Sequence, residues 1–214
     1  RYGSTFAEIN VACEACHGPG SAHVGWATSV SATARAIEGV DVTGTAPATE
    51  QMGLVVVFPR GSERSWPIDA DTGLAHRVPE RTSQAEIETC GRCHARRGAN
   101  ASEYRFDRPL TDSYRVSLLE RGLYHDDGQI LDEVYVYGSF LQSRMYQQGV
   151  SCSDCHEPHS LRLQNQGNAL CNRCHLAERF DTPDHYRHEF GSMAAACVSC
   201  HMPATTYMVV DPRR

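Results

Sequence analysis

Gly149-Val-Ser-Cys152-Ser-Asp-Cys155-His156-Glu-Pro-His159-Ser160 holds two cysteines two residues apart, a histidine directly behind the second, and another histidine three positions on. The first part of this pattern occurs five times, as Cys13/Cys16/His17, Cys90/Cys93/His94, Cys152/Cys155/His156, Cys171/Cys174/His175 and Cys197/Cys200/His201. All 10 cysteines are used in this way. Cysteines at this spacing have three ordinary readings: a zinc knuckle, a disulfide or dithiol redox site, and haem attachment, which alone requires the histidine directly after the second cysteine. With 11 histidines in 214 residues, five such placements do not arise by chance.

The spacing has a physical reason. A porphyrin edge offers two thioether attachment points, and its iron needs an axial nitrogen from one face. On a helix, positions i, i+3 and i+4 share one side, so both sulfurs and the imidazole converge on one porphyrin. The sequence therefore predicts five covalently bound c-type haems, held by the ten cysteines, with His17, His94, His156, His175 and His201 as proximal iron ligands. Such attachment follows export, which predicts a periplasmic or extracellular site. No secretory leader and no transmembrane segment is present, purely apolar stretches such as Leu54 to Phe58 being only a few residues long. Since the chain begins at Arg1, either a leader has been removed or this is a piece of a longer protein.

Aromatic residues make up only 8 %, and Gly 17 plus Pro 10 add many breakers, so the polypeptide is poor in core-forming residues and the haems would supply the missing apolar interior. The net charge of −6 argues against a nucleic-acid partner, because phosphate binding needs a positive surface. All 20 basic residues are arginine, a composition that fits either a high-GC genome or bidentate pairing with haem propionates.

The expected fold is mainly α with much loop and a small β-hairpin, its short helices wrapped around the haems. Residues 1–150 form a two-haem region with a long insert, about 24–80, and residues 151–214 a compact three-haem cluster, the two making one continuous haem-packed unit. In the insert, Leu54–Phe58 and Ser65–Ile68 flank the turn-rich Arg60-Gly-Ser-Glu and read as the hairpin. Residues 28–50, rich in Ala, Thr, Ser and Gly, read as a linker. Ser83-x-x-Glu86 reads as a capping box opening a helix through His94 that ends at Gly98. Asn168 and Ser192 are read as caps of the helices carrying Cys171 to His175 and Cys197 to His201, the latter stopped by Pro203. Ser139 is read as the start of a helix running to Gly149, with Met145 on its apolar face.

Six histidines lie outside the attachment motifs: His23, His76, His125, His159, His185 and His188. Five irons need five second ligands, which predicts mostly bis-histidine coordination, with either or both of His185 and His188 ligating. His159 and His23 sit too close in sequence to their own proximal histidines to reach the opposite haem face, so each is expected to serve a neighbouring haem. Met145, Met193, Met202 and Met208 are competing ligands that would raise the potential.

Cys13-Glu-Ala-Cys-His-Gly-Pro-Gly-Ser-Ala-His23 resembles the multihaem cytochromes related to hydroxylamine oxidoreductase and octahaem tetrathionate reductase, where a histidine shortly after such a motif commonly ligates another haem. Gly149 to Ser160 resembles a motif of many respiratory and extracellular multihaem cytochromes. A more extended likeness, over Glu8 to His23, Thr89 to Arg97, Tyr135 to His159, Ala196 to Pro203 and Tyr207 to Arg214, is to the large multihaem cytochromes that bear tetratricopeptide repeats. Those usually carry further haem motifs upstream and helical repeats downstream, so the resemblance implies a fragment or processed form. Electron transfer to redox partner proteins, rather than catalysis, is the leading expectation. The alternatives are a reductase or oxidase of a small nitrogen or sulfur compound at one open haem, and a subunit that self-assembles into a filament or larger cytochrome complex.

Overall fold

Glycine and proline keep the helices short. In the computed structural model, which describes residues 5, 11–36, 52–59, 61–106, 108–207 and 211–213, helix α1 (Cys13–His17) ends at Gly18, whose φ of 79° lies in the left-handed region open to glycine. There follow α2 (Ser21–Ala36), α3 (Ala85–His94) and α4 (Leu110–Ser113). The next helices are α5 (Val136–Gln142), α6 (Arg144–Gln147), α7 (Cys152–Cys155) and α8 (Asn168–Cys171). Then come α9 (Ala177–Phe180), α10 (Pro183–Tyr186), which has proline in its first turn, and α11 (Cys197–His201), which stops just before Pro203. Three two-stranded antiparallel sheets pair β1 (Arg97–Ala99) with β2 (Tyr114–Val116), β3 (His156–Glu157) with β4 (Arg162–Leu163), and β5 (Thr205–Tyr207) with β6 (Asp211–Arg213). Among the described residues no helix is long and apolar enough to cross a membrane.

The helix-rich, loop-rich class is as expected, but several local readings are corrected. Ser65–Ile68 pairs with Ala75–Val78 through the bridges Ser65–Val78 and Ile68–Ala75, while Leu54–Phe58 lies against His17 instead of closing a hairpin. Of the expected linker, residues 28–36 continue α2, and 37–50 lie outside the described residues, as does Arg60. Glu86 does not close a capping box with Ser83; α3 starts at Ala85, ends at His94 rather than Gly98, and the Glu86 carboxylate accepts from Ser153 N–H at 2.7 Å. Asn168 is the first residue of α8 and ties segments together, donating to Asp181 and Ala195 O and accepting from Cys197 N–H. Ser192 precedes the 3-10 turn Met193–Ala195, without capping α11. The helix expected from Ser139 is split at Ser143, which caps α6 by accepting from Tyr146 N–H at 3.1 Å.

What core there is sits around α3. Ile87 packs inward, with Leu110 and Val134 fully enclosed, each such side chain contributing roughly 1.5–3 kcal/mol. Gly91 lets α5 approach, since a Cβ there would stand 2.7 Å from the Tyr137 ring. Glu88 accepts from Leu110 N–H at 2.9 Å and so holds the start of α4. Against this small core, Val11, Val24, Leu118, Leu161, Phe190 and Met193 are left largely in solvent. An apolar shell lacking an interior of its own is what a chain built around large prosthetic groups would present.

Candidate functional site

Each motif is positioned by a different device. The α1, α3 and α11 motifs are helical from first cysteine to histidine, whereas α7 ends at Cys155 and α8 at Cys171, which puts His156 in β3 and His175 in a bridge with Leu74. The single helical face expected for every motif is thus present in three of them. In the other two the chain turns to extended backbone before or at the histidine.

The five cysteine pairs lie near enough in chain order for each to influence the ionisation of the next. Burial pushes the Cys16 thiol up, with Cys90 and Cys93 beside it adding to the effect. Cys90 and Cys152 act on each other most strongly, Cys152 raising Cys90 and Cys90 lowering Cys152. Burial pushes Cys174 up to about 11, with Asp154, Cys155 and Cys171 nearby. Burial also pushes Cys197 up to about 11, helped by Cys171. The five motifs thus neighbour one another in chain order, and the proximity of Cys90 to Cys152 crosses the expected boundary near residue 150. Redox-active dithiols have lowered thiol pKa values, whereas Cys16, Cys90, Cys155, Cys171, Cys174 and Cys197 are all raised.

Cys200 departs from this picture. It is expected to share one haem edge with Cys197, yet it is exposed and none of these cysteine influences involves it. The reason is its place in α11: Cys197 opens the helix with its N–H held by Asn168, while Cys200 lies in the last turn, beside the exposed Ser199, His201 and Met202. The fifth motif joins the series through Cys197. Cys13 and Cys93 are exposed as well.

The histidines show a pattern of their own. His17 Nδ1 lies 2.9 Å from Val56 O, and Val56 N–H donates back to His17 O at 3.1 Å. A carbonyl only accepts, so Nδ1 carries the proton and Nε2 keeps a free lone pair. His23 is fixed the same way, with Nδ1 2.7 Å from Met52 O and its ring stacked on Trp26. Gly53, at φ 72°, allows this approach, because a Cβ there would lie 2.6 Å from Ala22 O. His159, in the turn joining β3 to β4, has Nδ1 3.1 Å from Glu157 Oε1. Holding Nδ1 with an outer acceptor while Nε2 stays free is the usual arrangement of a metal-ligating histidine.

Two pairs of imidazole rings lie close together and nearly parallel. His17 and His159 have ring centroids 6.5 Å apart and planes 5° from parallel, and His185 and His201 have centroids 6.0 Å apart and planes at 9°. Two imidazoles bound to opposite sides of one metal, with bonds of about 2 Å and about 1.1 Å from nitrogen to ring centre, would have centroids roughly 6 Å apart. His188 follows Arg187, whose left-handed backbone at φ 59° ends α10 and turns the chain away from the face carrying His185. Among the described residues no ring stands at contact distance from His94, His156, His76, His125 or His188, and His175 meets Phe180 edge-on at 5.8 Å. Burial, and the neighbouring His201 after it, hold His175 below its usual pKa. Met193 and Met202 are exposed, as is Met145, which is 41 % accessible rather than packed; Met208 lies outside the described residues. No three of His, Cys, Asp and Glu converge on one point among the described residues.

Sequence reasoning missed an arginine clamp on the third motif. Arg64 Nε donates to Asp154 at 2.7 Å and its Nη2 to Ser153 Oγ at 2.7 Å, in an ion pair whose side chains are 5 % and 6 % exposed. Trp66 Nε1 and Ser151 N–H also donate to Asp154. Arg77 donates to Gly149 O, and Arg81 to Val150 O and Tyr146 O, binding the lead-in to Cys152. Burial, then Arg64, lowers the Arg77 pKa. The signal in the sequence was Ser151-x-x-Asp154 inside the third motif, a capping-box pattern whose acidic partner is available to a cation.

A family defined by a doubled CXXCH motif matches residues 145–180, covering the third and fourth attachment motifs. These motifs mark a c-type cytochrome of the multihaem kind. No curated protein and no solved structure matches the chain. Cytochromes of this type are typically found outside the cytoplasm.

The residues present fit haem. A cavity of about 670 Å³, a volume suited to a bound cofactor, opens beside Cys93 and is bordered by Arg92, Arg96, Arg97 and Tyr135. Arg64 Nη1 and Arg92 Nε are buried and without a partner, each beside an attachment motif, and a propionate carboxylate is the acceptor such a group lacks.

Proposed function

We propose that this chain is a pentahaem c-type cytochrome that transfers electrons outside the cytoplasm along closely packed, mostly bis-histidine haems. The observation that carries this reading is the nearly parallel pair His17 and His159, with both Nδ1 atoms held from outside and the rings spaced for one metal between them. Haem supplies a one-electron iron couple, and the protein's part is to fix ligands, potentials and separations. His17 and His159 would hold the haem of the first motif, and His201 and His185 that of the fifth, bound through Cys197 and the exposed Cys200. Three of His23, His76, His125 and His188 supply the second ligands of the remaining three haems. The succession of neighbouring motifs in chain order supports a single ordered path rather than two separate haem groups.

Intact mass and electron paramagnetic resonance of the oxidised protein test this reading. Polypeptide plus five haems and five low-spin ferric signals are expected. His159→Ala should turn the haem attached at Cys13/Cys16 high-spin while leaving that at Cys152/Cys155 unchanged. Zinc in place of haem, or five low-spin signals in the His159→Ala protein, would refute it.

One observation favours a second reading, a reductase or oxidase of a small nitrogen or sulfur compound. No histidine ring stands near His94 among the described residues, and the cavity beside Cys93, bordered by Arg92, Arg96 and Arg97 and by Asp132 and Glu133, would leave room for a small polar substrate there. A new nitric oxide or cyanide adduct at one haem of the native protein would establish it. Redox partner proteins, or further copies of the chain in a filament or larger complex, remain the proposed partners.

A further inference from the structure

The two ligands assigned above to the first-motif iron differ in what holds them from behind. His17 Nδ1–H donates to a neutral peptide carbonyl, Val56 O, at 2.9 Å. His159 Nδ1–H donates to a carboxylate, Glu157 Oε1, at 3.1 Å. Among the described residues His159 is the one histidine whose ring meets a carboxylate. The carboxylate is itself fixed, since Oε1 also accepts from His159 N–H at 3.3 Å and Oε2 from Ser160 N–H at 2.6 Å. The tight β3–β4 turn, with Leu161 at φ 58°, keeps all three contacts within five residues of chain.

Resting on the His17–His159 pairing, we infer that Glu157 is a positioning residue that sets the potential of the first-motif haem, holding it low. A carboxylate accepting the Nδ1 proton draws that proton outward and makes the imidazole a stronger donor through Nε2. A stronger donor favours the ferric over the ferrous state, because the added electron density is better accommodated at the higher charge. The peptide carbonyl behind His17 has no net charge and exerts this pull more weakly. Charge and hydrogen bonding thus act on one iron of the five from its distal side, and the first attachment point in the series becomes its low-potential end.

The test is potentiometric titration of the intact haem-loaded protein, followed by visible absorption and paramagnetic resonance, for Glu157→Gln and Glu157→Asp. Glu157→Gln keeps an acceptor oxygen but removes the charge. All five haems should stay low-spin, with one midpoint moving upward by about 59 mV, a tenfold change in that haem's ferric-to-ferrous ratio at fixed potential. The shifted haem must be the one that turns high-spin in His159→Ala. Glu157→Asp restores the charge and should lie nearer the native midpoint than Glu157→Gln. If His159→Ala creates a high-spin haem but Glu157→Gln leaves every midpoint unchanged, tuning by Glu157 is wrong and the pairing stands. If His159→Ala leaves all haems low-spin, the pairing has failed and this inference with it.

Discussion

Asp154→Ala should destabilise the protein more than any other single change in the third motif. Its carboxylate receives Arg64 Nε at 2.7 Å, Trp66 Nε1 at 3.2 Å, and both the N–H and hydroxyl of Ser151 at 2.8 and 3.2 Å. The Arg64 side chain is 5 % exposed, so deleting its partner leaves a guanidinium buried and unpaired beside Arg77 and Arg81. Breaking a buried pair from one side costs about 3–5 kcal/mol. Asp154→Asn keeps the shape and some acceptor capacity and should cost about 2 kcal/mol, the scale of a hydrogen bond to a charged group. Replacing both partners, as Arg64→Met with Asp154→Leu, removes the stranded charge and should recover most of the loss. Guanidinium unfolding of the haem-loaded proteins, followed by far-ultraviolet circular dichroism, measures all three. Should Asp154→Ala unfold within about 0.5 kcal/mol of the native protein, the size of an ordinary surface change, the clamp is not holding the third motif.

Other expectations follow from single contacts. His185→Ala should convert only the haem attached at Cys197/Cys200 to high spin, read by paramagnetic resonance, while His188→Ala leaves that haem low-spin. Gly18→Ala forces a side chain into a left-handed conformation and within 2.8 Å of Val55; a loss of about 1–3 kcal/mol in denaturant titrations is expected. Gly91→Ala meets the Tyr137 ring at 2.7 Å in the tightest part of the core, and overpacking there should cost about 1–3 kcal/mol in the same measurement.

The attachment residues were legible because their chemistry demands fixed spacing, and the short-helix architecture because Gly18, Gly149 and Pro203 interrupt any longer run. Spacing says nothing of surroundings, however, which is why the exposed Cys13, Cys93 and Cys200 could not be told from the partly covered cysteines until their helices were placed. Chain distance alone led to the expectation that His159 serves a neighbouring haem, but the ring beside it, that of His17, depends on how β3 and β4 fold back toward α1. The partner of Leu54–Phe58 was misread for a related reason. Its alternation of exposed Val55 and buried Val56 suits a strand, but its pairing groups are taken by a histidine remote in sequence. Glu86 and Asn168 sit at sequence positions that favour caps, yet both side chains bind distant segments, because tertiary partners outcompete local ones where a buried backbone group needs satisfying. The Arg64–Asp154 pair was only half legible: Ser151-x-x-Asp154 marks a capping box, but nothing around Arg64 signals that it reaches this carboxylate.

The pairing of His17 with a residue beyond the third motif also bears on how the protein matures. A chain emerges amino terminus first, so the first motif is ready to take its haem long before His159 has appeared. Any product truncated between those points would hold an iron with its sixth position open to peroxide and other small oxidants. On this pairing, a shortened chain is a reactive species rather than a shorter conductor, and arrival of the β3–β4 turn is the step that makes the first haem safe.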